Sequence, residues 1–459
     1  MSPKRFVKQS LVEEAVLFVS VFKWICAAAA VGALVGLSTT VFLKLLLWAE
    51  QTTHRWEHYY WLLPAVLVVS VFLVRFFEPD AEGHGTEKVI EAVHKRAGKI
   101  KLSVVPVKLV ATILTIAFGG SVGKEGPCAQ IGAALASGTA DLFRLEEHDR
   151  KKLVICGISA GFASVFGTPI SGAIFGVEVL YAGSILYEVL LPSFVAGLVG
   201  YEVCRALGVT YFSYPIHQVP EGGMFWVQAA GAGIFLGLCS RFLIEVLKAG
   251  KSLSNRISLN PFVKAFAAGA VLLGLSAAVS DRYLGLGLQT IQDTLRGIQP
   301  PWSSFFWKSI FTSITLSFGG SGGIVTPILF IGSTAGAAFA MLFGLNVPLF
   351  AAIGLVGLLA GAANTPISAG MMAVELFGSD IAPYAAVAAV VSFLMTGHHS
   401  VYPSQVLSIR KSSSLDVQLG QEIDSICPSY KRREKTLLDC LCRLKRGVEA
   451  SASKKQKME

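Results

Sequence analysis

The chain is 459 residues long, 53% hydrophobic and only 15% charged, with 46 glycines and 39 basic against 30 acidic side chains. That charged share, far below the roughly one quarter typical of soluble domains, together with a mean hydropathy of +0.60, excludes an ordinary soluble enzyme, a disordered chain, a collagen and a disulfide-stapled secreted domain. Apolar runs such as 61–77 and 261–280 approach the roughly 20 residues that cross a bilayer, so the sequence reads as an all-α polytopic membrane protein.

In chain order, residues 1–14 form a basic start (Lys4, Arg5, Lys8). No short apolar core with a small-residue cleavage site follows, because the first apolar stretch runs from Ala15 past Leu46, and no cleaved signal is expected. The transmembrane domain is expected over 15–408, with apolar segments near 15–48, 59–77, 102–120, 127–144, 152–183, 185–205, 222–248, 261–281, 304–318, 327–343, 346–377 and 382–397. Several have the wrong length for a perpendicular span, and breaks are expected at Pro127, Pro169, Pro192, Pro327 and Pro366. A broken helix in lipid frees backbone groups that must face protein or a cavity, so these breaks mark the functional interior. Residues 409–459 form a basic tail with twelve basic and seven acidic side chains from Arg410 onward. Under the positive-inside rule both termini are expected on the cytoplasmic side of the cell membrane, with Lys431-Arg432-Arg433 touching lipid headgroups and not nucleic acid. Of the eight cysteines only Cys440-Leu441-Cys442 has close spacing, which does not make a metal site; no metal or cofactor is expected.

The sequence repeats internally. Residues 118–127 (FGGSVGKEGP) return 200 positions later as 318–327 (FGGSGGIVTP), identical at six of ten places. Thr168-Pro169-Ile170-Ser171, with Val177-Glu178 behind it, returns as Thr365-Pro366-Ile367-Ser368, with Val374-Glu375 behind it. The interval between the blocks is 42 residues in one copy, Pro127 to Pro169, and 39 in the other, Pro327 to Pro366. Two halves, about 59–205 and 222–397, with interrupted segments at matching places are the pattern of transporters built from repeats, with the binding site where the repeats meet.

Each first block is a glycine-rich stretch ending in proline before a helix-competent run, Cys128 to Phe143 and Ile328 to Phe343. Proline suits the first turn of a helix, and the free N–H groups there, with the positive end of the helix dipole, attract anions without a fixed cation. Backbone dipoles hold an ion loosely enough for passage, where a full Lys or Arg charge would trap it. Glu125 stands at such a start. An ionisable side chain inside a membrane segment is a functional candidate, and its carboxylate can occupy the place an anion would take until protonation or displacement frees it. The competing reading is a helix-capping glutamate paired with Lys124. For Glu178 and Glu375, duplication favours a structural contact such as a helix end, with a transport role for Glu178 as the alternative.

At these residues the chain resembles the CLC family of chloride channels and chloride/proton antiporters, prokaryotic type. Gly123-Lys124-Glu125-Gly126-Pro127 is similar to the family's GREGP motif with Lys for Arg, and Gly323-Ile324-Val325-Thr326-Pro327 to GxFxP with Val for Phe. Phe166-Gly167-Thr168-Pro169 and a late Tyr402 match as well, over about Pro79 to Leu407. The resemblance implies a CLC-type fold of two inverted repeats of tilted, broken helices, a homodimer with one pore per subunit, and Glu125 as the gating carboxylate. It places the anion at Gly123, Lys124, Gly126, Gly323, the backbone amides of Ile324 and Val325, and the hydroxyl of Tyr402.

Two departures bear on mechanism. Where the family has GSGIP this chain has Gly83-His84-Gly85-Thr86-Glu87, so His84 replaces the serine that contacts the anion. Imidazole donates a hydrogen bond as serine does and also titrates near neutrality, which leaves the preferred anion open, since the fluoride-exporting branch departs from the same motif. The alternative for His84 is an interfacial side chain beside Glu82. In family antiporters a proton-transferring glutamate follows the position of Glu178; here that place is Val179, as in the channels. The expectation is passage of chloride and other small anions through a Glu125-gated, channel-like pore, with a proton-coupled chloride or fluoride antiporter as the alternative. An intramembrane enzyme using Glu125 and His84 lacks a nucleophile or metal set. About 50 residues after Tyr402 are too few for paired regulatory nucleotide-binding (CBS) domains, so none are expected.

Overall fold

The computed structural model describes residues 3–216, 219–220, 222–426 and 428–430, with side chains from Val12 to Ser429. The basic run Lys431-Arg432-Arg433 and Cys427, Cys440 and Cys442 lie outside the described residues. Among the described residues eight helices make the first half: α1 (Pro3–Thr53), α2 (Leu63–Phe77), α3 (Thr86–Lys95), α4 (Val104–Ala117), α5 (Glu125–Leu142), α6 (Glu147–Phe166), α7 (Pro169–Glu178) and α8 (Tyr187–Ala206). Eight more follow among the described residues: α9 (Gly223–Arg256), α10 (Pro261–Ala278), α11 (Leu288–Leu295), α12 (Ser304–Ser317), α13 (Val325–Phe343), α14 (Val347–Ala363), α15 (Pro366–Phe377) and α16 (Ala382–Met395). Strands are confined to short pairs; β1 (Tyr181–Ala182) lies parallel to β2 (Val406–Leu407) and ties the C-terminal segment to the end of α7.

Packing repeats with the sequence. α5 lies on α6 as α13 lies on α14, and α1 on α8 as α9 on α16; the halves meet through α2 with α10, α7 with α15, and α5 with α13. At the centre Gly123 and Gly323 pair antiparallel, each N–H donating to the other's carbonyl at 2.6 Å. Ser121 N donates to Thr315 Oγ1 and Ser321 N to Thr115 Oγ1, both at 3.2 Å. Equivalent residues that pair antiparallel and exchange identical bonds lie astride a two-fold axis, so the halves are inverted repeats.

Six helices among the described residues are long and apolar enough to cross a membrane. One of them, α13, has 83% of its apolar window buried inside the protein, so it faces helices and not lipid. The long apolar runs at 152–183 and 346–377 each fold as two helices. In the first, Gly167 takes a left-handed φ of +74° that closes α6, and Pro169 opens α7. In the second, Asn364 takes the same role at φ +57° before Pro366 opens α15. The break expected at Pro192 is absent: α8 runs through it, because a proline in the second turn forfeits only one early hydrogen bond and neighbouring helices bury the gap. Helix α1 starts at Pro3, inside the segment expected to precede the first apolar run.

Candidate functional site

The starts of α5 and α13 face each other across the two-fold axis. Glu125 is the first residue of α5, fully enclosed, and its carboxylate lies on the opposite half: Oε2 accepts from Thr326 N at 3.0 Å, and Oε1 accepts from the Thr326 hydroxyl. Among the described residues no ion pair joins it to Lys124, and its carboxylate is held by the first turn of α13. A carboxylate held by a helix-start N–H and a hydroxyl stands where a small anion would be bound. The repeat makes the asymmetry plain, since the residue of α13 equivalent to Glu125 is Val325.

The glycines of both motifs serve contact between the halves. The N–H groups of Gly123 and Gly323 donate to each other's carbonyls. At Gly126 a Cβ would stand 2.4 Å from the His84 carbonyl oxygen and 3.0 Å from the Gly323 Cα, so no side chain fits where three segments converge. Lys124 caps α5 and its carbonyl accepts from Cys128 N, while Ile324 caps α13 with its carbonyl accepting from Ile328 N; Ile324 and Val325 are buried.

His84 is brought to the same place. Its ring centroid is 6.0 Å from that of Tyr402, and its Nδ1 is buried without a hydrogen-bond partner among the described residues. Tyr402 is fully buried, and its hydroxyl likewise has no partner of hydrogen-bond geometry there. A cavity of about 560 Å³ opens beside them on the face that carries the C-terminal segment, lined by His84, Glu87, Lys88, Lys251, Ser404 and Glu422 among others. This vestibule reaches the central group of residues at His84.

Glu178 and Glu375 are elsewhere, and they are reciprocal caps. Glu178 accepts from Ile367 N (3.1 Å) and Ser368 N (2.8 Å) at the start of α15, and Glu375 accepts from Ile170 N (2.9 Å) and Ser171 N (2.8 Å) at the start of α7. The hydroxyls of Ser171 and Ser368 exchange bonds with each other's carbonyls at 2.9 and 3.0 Å. Both carboxylates are thereby tied into contact between the halves. Val179, next in the chain, is buried, and its carbonyl accepts from Gln405 Nε2 at 2.7 Å.

Two lysines escaped the sequence reading. Lys108 on α4 and Lys308 on α12 are fully buried, and each donates to two carbonyls of the loop before the short helix of its half: Ala81 (3.0 Å) and Gly83 (2.5 Å), or Tyr283 (3.1 Å) and Gly285 (2.7 Å). Each ammonium pins a Gly-x-Gly loop, whose middle residue is His84 in one half and Leu286 in the other. Each amine is buried with carbonyl partners and, among the described residues, no carboxylate in contact, an expensive place for a cation. The signal was available: the 200-residue offset runs back from Phe118 through Thr115, Thr112, Lys108 and Ser103 to their counterparts Thr315, Thr312, Lys308 and Ser303.

Comparison with known families settles the lineage, because the family model described as "Voltage gated chloride channel" matches residues 65–397, well over half of the chain. The chain belongs to the CLC family. Among its relatives, a "Chloride/fluoride channel protein" of Pseudomonas syringae pv. tomato is 39% identical over 394 residues, 83% of this chain and 86% of that one. A "Voltage-gated ClC-type chloride channel ClcB" of Salmonella typhimurium is 26% identical over 337 residues, 70% of this chain and 79% of that one. The solved structure of a CLC-type fluoride/proton antiporter superposes with a TM-score of 0.80 at 28% identity, covering 85% of this chain and 99% of that one. A slow cyanobacterial Cl⁻/H⁺ antiporter, at 21% identity and a TM-score of 0.71 over 81% of this chain and 94% of that one, shares the fold. The CLC fold is therefore the frame in which the Glu125–Thr326 contact operates, in a membrane protein of an anion-transporting family.

Proposed function

We propose that this protein passes small monovalent anions, chloride and fluoride among them, through a pore gated by Glu125. The observation that carries the reading is the hold of the Glu125 carboxylate on the N–H and hydroxyl of Thr326 at the start of α13. An anion arriving there competes with the carboxylate for the same donors, and protonation of Glu125 removes its charge and weakens its side of the competition. His84 and Tyr402, with unpartnered polar atoms next to the vestibule, supply further donors to the ion. Lys124, Gly126, Ile324 and Val325 shape the two helix starts around it.

The pore is channel-like, since Val179 is buried and cannot carry a proton where antiporters of the family have a glutamate. A proton-coupled exchanger is the second reading, favoured by the likeness to a protein titled a fluoride/proton antiporter. Efflux from proteoliposomes under a chloride gradient, with the membrane potential clamped and pH recorded, separates the two. A channel releases chloride without sustained proton movement; proton pumping against a gradient would establish exchange.

Two copies assemble as a homodimer in the lipid. Helices α7 and α15, with 10 and 12 residues, are too short to cross about 30 Å of hydrocarbon, yet they leave Ile170, Ile367 and Val374 exposed. A second subunit covers such a face better than lipid alone. The C-terminal segment and both termini lie on the cytoplasmic side, by the excess of basic residues there. Light scattering of the purified protein measures the assembly, and a monomer would contradict it.

A further inference from the structure

Glu87, the second residue of α3, lies about the vestibule in an arrangement that has no counterpart in the second half, where Gln289 stands two residues after Gly287 as Glu87 does after Gly85. Its Oε1 accepts from Ser404 N at 3.0 Å and from Ser404 Oγ at 2.5 Å. The chemistry is that of Glu125 and Thr326: one residue's main-chain N–H and its own hydroxyl converge on a carboxylate delivered by the first turn of another helix. Such a donor pair serves a carboxylate and a halide alike, because both are pure acceptors with negative charge.

A plain structural tie between α3 and the C-terminal segment would satisfy both carboxylate oxygens. Here Oε2 is buried and has no partner among the described residues, and neither has the hydroxyl of the fully buried Tyr402, two residues before Ser404. Leaving such atoms unpaired is costly unless the site exists for something that comes and goes. Both Glu87 and Ser404 line the cavity that His84 also lines, so the donor pair is reachable by an ion from the vestibule.

We propose that the N–H and hydroxyl of Ser404 form a second small-anion site at the vestibule end of the pathway, and that Glu87 fills and gates it as Glu125 gates the Thr326 pair. This rests on the anion-pore reading above. The pore then carries one carboxylate gate at the centre and another at its vestibule mouth, and an anion displaces each in turn. The charged groups sharing this cavity with Glu87 are of mixed sign: Glu82 and His84 before α3, Lys88, Glu91 and Lys95 on α3, Arg75 on α2, Lys248 and Lys251 on α9, Lys264 on α10, and Glu422 and Asp424 in the C-terminal segment. The cations draw anions in, while burial favours a protonated Glu87 against the pull of the Ser404 donors and Lys251, so acid opens this gate.

The test is chloride and fluoride efflux from proteoliposomes at equal pH on both sides, from pH 8 to pH 5, in the background Glu125→Gln, where the central gate no longer titrates. Efflux is expected to rise at least three-fold on acidification in Glu125→Gln, and to be flat at the acid level once Glu87→Gln is added. Ser404→Ala in the same background keeps the N–H and loses the hydroxyl; it is expected to raise efflux at pH 7.5, and it stands as the second arm should Glu87→Gln not fold. A pH profile identical with and without Glu87→Gln, or unchanged efflux in Ser404→Ala, overturns the inference while the pore reading stands. Absence of anion efflux from wild type and every variant overturns both.

Discussion

The reciprocal caps at α7 and α15 give a quantitative test of the inverted-repeat geometry. Glu178 is 3% exposed and holds two backbone N–H groups, of which Ser368 N is buried; Glu375 is half-buried, and of its two partners Ile170 N is exposed. A hydrogen bond to a charged group contributes roughly 1.5–3 kcal/mol when protected, and stranding a buried donor adds to the loss. Glu178→Ala should therefore cost about 3–4 kcal/mol, while Glu375→Ala, whose less buried carboxylate makes weaker bonds, should cost about 1–2 kcal/mol. Because Ser171 and Ser368 bond to each other, loosening one helix start loosens the other, and the double variant should cost less than the sum by at least about 0.5 kcal/mol. Equilibrium unfolding in mixed detergent and SDS micelles reads all three values. Glu178→Ala within 1 kcal/mol of wild type, or no costlier than Glu375→Ala, would refute the reasoning that these carboxylates hold the halves together.

Tyr402→Phe removes a hydroxyl whose interaction with Thr86 falls short of hydrogen-bond geometry, so stability should change by less than about 0.5 kcal/mol while anion affinity, read by titration calorimetry, drops several-fold. Gly126→Ala forces a Cβ to 2.4 Å from the His84 carbonyl; overpacking of about 1–3 kcal/mol and loss of efflux are expected, seen in thermal melts and vesicle assays. Lys108→Met and Lys308→Met each strand two carbonyls, so both should lower the melting temperature. Only Lys108→Met should also weaken anion binding, because its loop carries His84 and the equivalent loop carries Leu286.

Much of the architecture was legible because the repeat is written in residues that cannot be exchanged at the axis. The Phe-Gly-Gly-Ser and Thr-Pro-Ile-Ser blocks mark the places where α5 meets α13 and α7 meets α15, and the duplication of Glu178 and Glu375 favoured a structural contact, a helix end or subunit packing, without deciding between them. The break before α15 was legible from Pro366, but the part of Asn364 in it was not, because asparagine can replace glycine as a left-handed helix end without announcing itself in an apolar run. Helices α3 and α11 were missed because both are short and amphipathic, with none of the apolar length that the membrane segments show. At the site, glycine and glutamate drew the eye while their partners did not: Thr326 and Ser404 are ordinary residues whose donor role depends on a carboxylate arriving from 201 and 317 residues away.

The account rests on Glu125 competing with the permeant anion, and anion efflux from proteoliposomes of wild type and Glu125→Gln, across pH 8 to pH 5, tests that most directly. Wild-type efflux should be low at pH 8 and rise steeply in acid, and Glu125→Gln should exceed wild type at pH 8 with a much shallower rise. Equal rates and equal pH profiles for the two proteins would contradict a gate at Glu125.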